Sequence, residues 1–322
     1  NEEIGGNGSL LAAANMALQG HKEEIYAARF SPSGELIASG GADGKVWLWQ
    51  ATGECGNVGM SPKLKSQIVD LCFSADSQSI FVGCSDGKAW SYDAESAKST
   101  RKFLNHKEVI NAVAYSTVKG IFLTASNDRR VLLWDPDSPR CIGEWSAVCE
   151  QTACCFGVAE NHFFTGGIDN EVVERDLRSA SVVRKIGAHL DTVTSLQECP
   201  ERFMLSHAMD ASCKLWRGGE LQGVFSGHAV GPEKTLVRAR LSPAMNLLVA
   251  GGFEEVSVWG VVRRKPLMKL GGHKGTVNDV DLTADGRVVS AASDGSLYVT
   301  QLPAELLALP PLAAQGCPKP TN

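Results

Sequence analysis

Histidines and carboxylates carry much of the chemistry open to a protein near neutral pH, and in this chain they come in a fixed order. Gly20-His21 is followed by Ser39, Asp43 and Trp49, His106 by Thr124, Asp128 and Trp134, and His189 by Ser206, Asp210 and Trp216. An imidazole with a hydroxyl and a carboxylate in reach is equipped for general acid–base work. Against that stands the recurrence itself. His228 and His273 hold the same place in two further copies, and a residue copied at a fixed interval reads as scaffold rather than as general base. His162 and His207 fall outside the set. Each is isolated in the sequence, with no Cys or Ser nucleophile and no helical partner at ligand spacing. Ser206 and His207 are strand neighbours whose side chains point to opposite faces. The sequence thus predicts no catalytic residue, no metal site, no cofactor and no enzymatic activity.

The elements that must position these residues follow from the acidic turns. Asp43, Asp86, Asp128, Asp169, Asp210, Glu254 and Asp294 each close a short apolar run and a small-residue turn, at steps of 40 to 44 residues. That period belongs to propellers built of four-stranded blades. The first copy reads as a strand from Ile25 to Phe30, a Ser31-Pro32-Ser33-Gly34 turn, a strand from Leu36 to Ser39, an Asp43-Gly44 hairpin and a strand from Val46 to Trp49. Asp-Gly supplies the positive φ that such a hairpin needs. The prediction is an all-β, seven-bladed propeller over residues 11–302, each blade of four antiparallel strands. Residues 11–18 are expected to give the outermost strand of the last blade, leaving only short, protected edges. Residues 1–10 read as a polar, glycine-rich tail and 303–322 as a Pro/Ala/Leu-rich tail.

Composition excludes several classes. The 43% hydrophobic content can fill a sizeable core, and 33 glycines suit many tight turns. A net charge of −5 argues against a free-standing nucleic-acid binder. Ten cysteines include no C-x-x-C pair, and Cys72, Cys84, Cys154, Cys155 and Cys213 sit inside strand-like runs, where a free thiol behaves as a small hydrophobe. This is the usage of a reducing compartment. No apolar run nears the roughly 18 residues of a membrane span, so no membrane partner is expected.

Gly-His, then Ser or Thr, Asp and Trp, with Trp134-Asp135 as a paired ending, resembles the WD-repeat family of β-propellers. The resemblance implies a buried hydrogen-bond chain through His, Ser/Thr, Asp and Trp that rigidifies each blade. Several copies depart from it. Leu64 and Tyr92 replace His and Trp in the second, and Ala147 and Arg175 do so in the fourth. The sixth offers Glu254 in a shortened turn, and the seventh has Thr300 for Trp. Looser second, fourth and sixth blades are therefore expected. The sixth copy also carries about four extra residues, Val230-Gly-Pro-Glu-Lys234, read as a protruding loop on the working face.

The remaining surface reads as a partner-binding one. Residues three and five places after each His position enter the channel rim, and the residue before each turn acid shares that face. Tyr26, Asn111, Asn127, Ile168, Met209 and Phe253, with Lys234 from the insert, are the expected partner contacts, because aromatic and Met side chains there are larger than a solvated rim needs. In the second half, Thr165-Gly-Gly-Ile-Asp-Asn170, Ala188-His-Leu-Asp-Thr-Val-Thr-Ser-Leu196 and Leu205-Ser-His-Ala-Met-Asp210 resemble a narrower family, the WD-repeat subunits of the spliceosomal U-five small nuclear ribonucleoprotein. That resemblance implies a non-catalytic nuclear subunit, monomeric within a larger complex. It would dock on the particle's large scaffold protein in pre-mRNA splicing, with U-five RNA touched at most peripherally. Two alternatives remain. Asp176-Leu-Arg178 resembles half of the W-D-x-R box of cullin-ligase substrate receptors, and a peptide-reading propeller of chromatin or signalling would use the same channel.

Overall fold

Alternating apolar and polar residues, broken by Asp-Gly and other small-residue turns, drive the chain into short antiparallel strands. The computed structural model describes residues 15–53, 55–158, 161–179, 181–229, 231 and 235–312. Five four-stranded antiparallel sheets follow one another along the chain, each one blade. The first is Ile25–Phe30, Leu36–Gly41, Val46–Gln50 and Asn57–Met60. The next four begin with innermost strands Ile68–Phe73, Ile110–Tyr115, Gln151–Phe156 and Val193–Cys199.

The other strands do not make two further blades. They form one seven-stranded sheet, so five four-stranded blades and a joined sheet replace the seven separate blades expected from the spacing. The joint is a single 18-residue strand, Lys265–Leu282. Its first half pairs with Phe253–Gly260 and its second half with Arg287–Ala292. The shortened turn of the sixth repeat is the reason. Phe253 pairs with Thr276 and Glu255 with Gly271, so residues 272–275 bulge out of a pairing that spans the turn where the other repeats leave it for a loop. The acidic turns count sequence copies, and two copies here share one sheet. The outer edge of this sheet is Asn15–Ala17, paired antiparallel with Leu297–Gln301, so the N-terminal chain covers it.

Innermost strands present an unpaired edge to the channel, and unpaired N–H groups there must find acceptors. Side chains of the preceding strand supply them. Asp70 Oδ2 accepts from the Val113 amide at 2.8 Å, Asp279 Oδ2 from Ala28 at 2.9 Å, and Asp281 Oδ2 from Phe30 at 2.9 Å. Gln197 Oε1 accepts from Leu241 at 2.8 Å and Ser195 Oγ from Ala239 at 3.1 Å. The sheets also approach closely. A Cβ on Gly40 would lie 2.5 Å from Ile68, one on Gly83 2.5 Å from Ile110, and one on Gly166 2.6 Å from Val193.

After the last strand, residues 303–312 turn back onto the molecule. Ala304–Leu307 is a single helical turn. Leu306, Leu307 and Leu309 pack on the joined sheet's core, where Asn246 Nδ2 donates to the Leu307 carbonyl at 3.0 Å. Residues 1–10 and 313–322 lie outside the described residues.

Candidate functional site

In the first, third and fifth blades the four repeated residues close into one chain of hydrogen bonds. Trp49 Nε1–H donates to Ser39 Oγ at 2.9 Å, Ser39 Oγ lies 2.8 Å from His21 Nε2, and His21 Nδ1 lies 2.9 Å from Asp43. Trp134, Thr124, His106 and Asp128 repeat it at 2.8, 2.7 and 2.9 Å. Trp216, Ser206, His189 and Asp210 do so at 2.8, 2.8 and 3.0 Å. An indole can only donate and a carboxylate only accept, so the chain has one direction. The hydroxyl donates to Nε2, Nδ1–H donates to the carboxylate, and the imidazole is neutral. Burial pushes His106 and His189 the same way, lowering both. Burial alone would raise the Asp210 carboxyl, but the Leu190 amide, the Ser212 hydroxyl and His189 bring it down to about 2.

The same connectivity would activate a nucleophilic hydroxyl. Here it does not, because Ser39, Thr124 and Ser206 are each 0% exposed and no substrate can reach them. What the chain does is mechanical. The amides of Lys107 and Leu190, just after the histidines, donate to Asp128 and Asp210 at 3.0 Å, which ties the loop entering the blade to its turn.

The innermost strands begin at one mouth of the central channel, on the face of these turns. A bulge at the second residue of each such strand in the five blades, and in the second half of the long strand, re-aims one side chain. Asn111 Nδ2 donates across to the Gln151 carbonyl at 2.8 Å and to Asn127 Oδ1 at 2.5 Å. Asn278 Nδ2 donates to the Ile25 carbonyl at 2.8 Å, and Thr152 bonds the Val193 carbonyl. Tyr26 and Val69 hold the same position with no such bond, and there the mouth stays open. A cavity of about 240 Å³ is lined by Glu24, Tyr26, Gln67, Val69, Val109 and Leu236, among others. Burial and Glu24 push the Tyr26 phenol up to about 12.

Arg238 forms the floor of this cavity. Its guanidinium crosses the channel to Asp70 at 2.9 Å, to Asp279 at 3.4 Å and to the carbonyls of Tyr26 at 3.3 Å and Asn111 at 3.2 Å. Arg29 pairs with Asp279 beside it. Ala27, Ala112 and Ala153 hold the equivalent strand positions, small enough to leave room for the long side chain.

The WD domain, G-beta repeat family matches residues 12–50, 97–135 and 264–300. The chain is 31% identical to Pre-mRNA-splicing factor cwf17 of Schizosaccharomyces pombe, over 91% of this chain and 88% of that protein. It is 30% identical to the U5 small nuclear ribonucleoprotein 40 kDa protein of Homo sapiens, over 91% of this chain and 85% of that one. The chain belongs to this WD40-repeat family. A more distant relative, Pre-mRNA-processing factor 17 of Homo sapiens, is 24% identical over 87% of this chain but only 43% of its own length.

The family's hydrogen-bond chain fails where the sequence departs from it. Among the described residues, Tyr92 Oη, Thr165 Oγ1 and Arg175 Nε of the second and fourth blades are buried with no hydrogen-bond partner. In the seventh repeat His273 bonds Ser290 at 2.7 Å and also Ser296, while Thr300 turns to Asn15 at 2.7 Å. The sixth repeat requires a correction. Glu254 was the expected turn acid, yet it is exposed with φ +62, and Glu255 takes the role through the Ala229 amide at 3.4 Å. The shortened turn shifts the acid by one residue.

Of the expected partner contacts, the structure leaves Ile168 48% exposed and Tyr26, Asn127, Met209 and Phe253 half-buried. Asn111 is buried and fully used inside the fold. They do not form one patch. Tyr26 lines the open mouth, whereas Met209 lines a smaller cavity of about 40 Å³ with His207 and His228. Lys234, with Val230, Pro232 and Glu233 of the insert, lies outside the described residues.

His207 is not isolated, as its sequence context suggested. Its Nδ1 lies 2.7 Å from Thr194 Oγ1 and its Nε2 lies 3.2 Å from His228 Nε2. The equivalent position holds Gly40, Gly83, Ala125 and Gly166 in the other blades. An imidazole fits here because the next inner strand starts late, at Ala239. His162, the first residue of its strand, lies 3.6 Å from Glu174 and does not line the cavity that this pair shares.

Proposed function

We propose that this chain is a non-catalytic scaffold subunit of the spliceosomal U5 small nuclear ribonucleoprotein. It acts in the nucleus, in pre-mRNA splicing, as a single copy within the larger particle. The observation that carries this reading is identity of 30–31%, sustained over 91% of the chain, to a protein named as a pre-mRNA-splicing factor and to one named as a U5 small nuclear ribonucleoprotein 40 kDa protein. The partner is the large scaffold protein of the particle, held at the channel mouth around Tyr26, with Ile168, Met209 and Phe253 as separate contacts on the rim. This mouth is favoured because its bulge residues are free there, while elsewhere Asn111, Thr152 and Asn278 are spent on the fold. U5 RNA is touched peripherally at most, in keeping with the net charge of −5.

The docking surface is tested with the tagged full chain in nuclear extract. Tyr26→Ala combined with Ile168→Asp should cut recovery of the large scaffold protein at least fivefold with the melting temperature unchanged. Undiminished recovery would remove the mouth from the interface. Recovery of a cullin-ligase adaptor without spliceosomal RNA would replace the whole reading with that of a substrate receptor.

A further inference from the structure

The channel has a second mouth, at the opposite ends of the innermost strands. A cavity of about 400 Å³ opens there, larger than the one at Tyr26. Arg238 and its carboxylates, which bridge the channel above, separate the two. The walls are mixed: Cys72, Val113, Phe156 and Leu196 lie beside polar Ser116 and Gln197, with Val118 60% exposed and Val158 55% exposed at the edge.

One charge in this cavity is not used by the fold. Arg240 makes a single hydrogen bond, to the Leu196 carbonyl at 3.5 Å, and has no carboxylate within ion-pair distance among the described residues. Its neighbours are committed elsewhere. Arg29 pairs with Asp279. Asp281 accepts the amides of Phe30 at 2.9 Å and Leu282 at 3.0 Å. Glu198 accepts the Val158 amide. Burial, and Arg29 alongside, pull the Arg240 guanidinium below the usual arginine range even with Asp279, Asp281 and Asp70 nearby. A guanidinium with four free N–H donors at the wall of a cavity is set up for bidentate recognition of a planar oxyanion.

We propose that this second mouth binds a segment of a partner protein that places one Asp, Glu or C-terminal carboxylate on Arg240 and an apolar side chain between Val118 and Val158. A carboxylate fits better than a phosphate. Asp70, Asp279 and Asp281 lie close enough to Arg240 to act on it, and Glu198 lines the same cavity, so a doubly charged group would meet more repulsion than a singly charged one. The exposed Val118 and Val158 at the edge likewise suit an apolar peptide side chain rather than a nucleic-acid backbone. This surface is distinct from the Tyr26 mouth, and neither proposal depends on the other.

The test selects a random eight-residue peptide library on the full chain and measures each enriched peptide by calorimetry. A class rich in Asp or Glu beside an apolar residue should bind. It should lose at least tenfold in affinity on Arg240→Gln or on Val158→Asp, and change less than twofold on Tyr26→Ala. Val158 is exposed, so its substitution reports on the site even if Arg240→Gln unsettles the fold. A peptide with its carboxylates changed to amides should lose affinity for the wild type by the same factor. The proposal is overturned if no enriched peptide depends on Arg240 and Val158, if the dependent peptides are neutral or basic, or if a single-stranded oligonucleotide shows that dependence in their place.

Discussion

Single residues in this chain are read correctly only when their copies are compared. Asp128 accepts from His106, Lys107 and Arg130, whereas exposed Asp169 holds the same turn position with no histidine to bond. Asp128→Ala should therefore cost about 1–3 kcal/mol by leaving buried donors unmet, and Asp169→Ala should stay within about 0.5 kcal/mol. Equal shifts in melting temperature would mean that the repeated chain does not stabilise the blade. The histidines set a pH dependence. Burial holds His207 at about 3 and His273 at about 4, below the roughly 6.5 of an unfolded chain. The unfolded state then binds more protons across that window, so stability is full above about pH 6.5 and falls as pH drops toward 4 and below. His207→Ala, which installs the residue of the third blade, should shrink the fall in melting temperature between pH 7 and pH 5; an unchanged fall would contradict the assignment. His207 carried a signal that could have been seen: the residue after the repeated Ser or Thr is Gly or Ala in Gly40, Ala125, Gly166 and Ala291. Its partner His228 was not legible, because the pairing depends on how late the next inner strand begins.

Elements were legible where the pattern is local and not where it depends on pairing. The strands after Gly20-His21 and the turn at Asp43-Gly44 lie where alternation and turn chemistry put them. The joined sheet does not follow from spacing, since residues 265–282 look like two strands until Phe253 is seen opposite Thr276. The side chains that bind one blade to the next were equally hidden, because Asp70, Asp279 and Gln197 are ordinary polar residues in a strand. Asp279 is the one on which most rests: it accepts the Ala28 amide and faces both Arg29 and Arg238. Asp279→Ala strips a buried cluster of one partner and should cost about 3–5 kcal/mol, read as a fall in the urea midpoint with the slope retained. Adding Arg29→Met should restore part of that loss. A midpoint unmoved by Asp279→Ala would mean that these contacts do not hold the inner edges together.

At the scale of the whole molecule, closure of the sheets around a channel produces two mouths of different character. One is edged by Tyr26 and Val69, and the other is lined by Arg240 and apolar side chains, with the Arg238 cluster between them. The hydroxyls that a catalytic reading would need are sealed in the blades. The family was legible from His, Ser/Thr, Asp and Trp alone, because those residues build the scaffold; which rim residues remain free was not, because it depends on which bulge side chains find an acceptor across the channel. That the ring serves as a splicing-particle scaffold is tested most directly by purifying the tagged full chain from nuclear extract and quantifying the RNA that accompanies it. U5 small nuclear RNA should be enriched at least tenfold over other small nuclear RNAs from the same extract. No enrichment of U5 RNA, with the chain folded and nuclear, would contradict it.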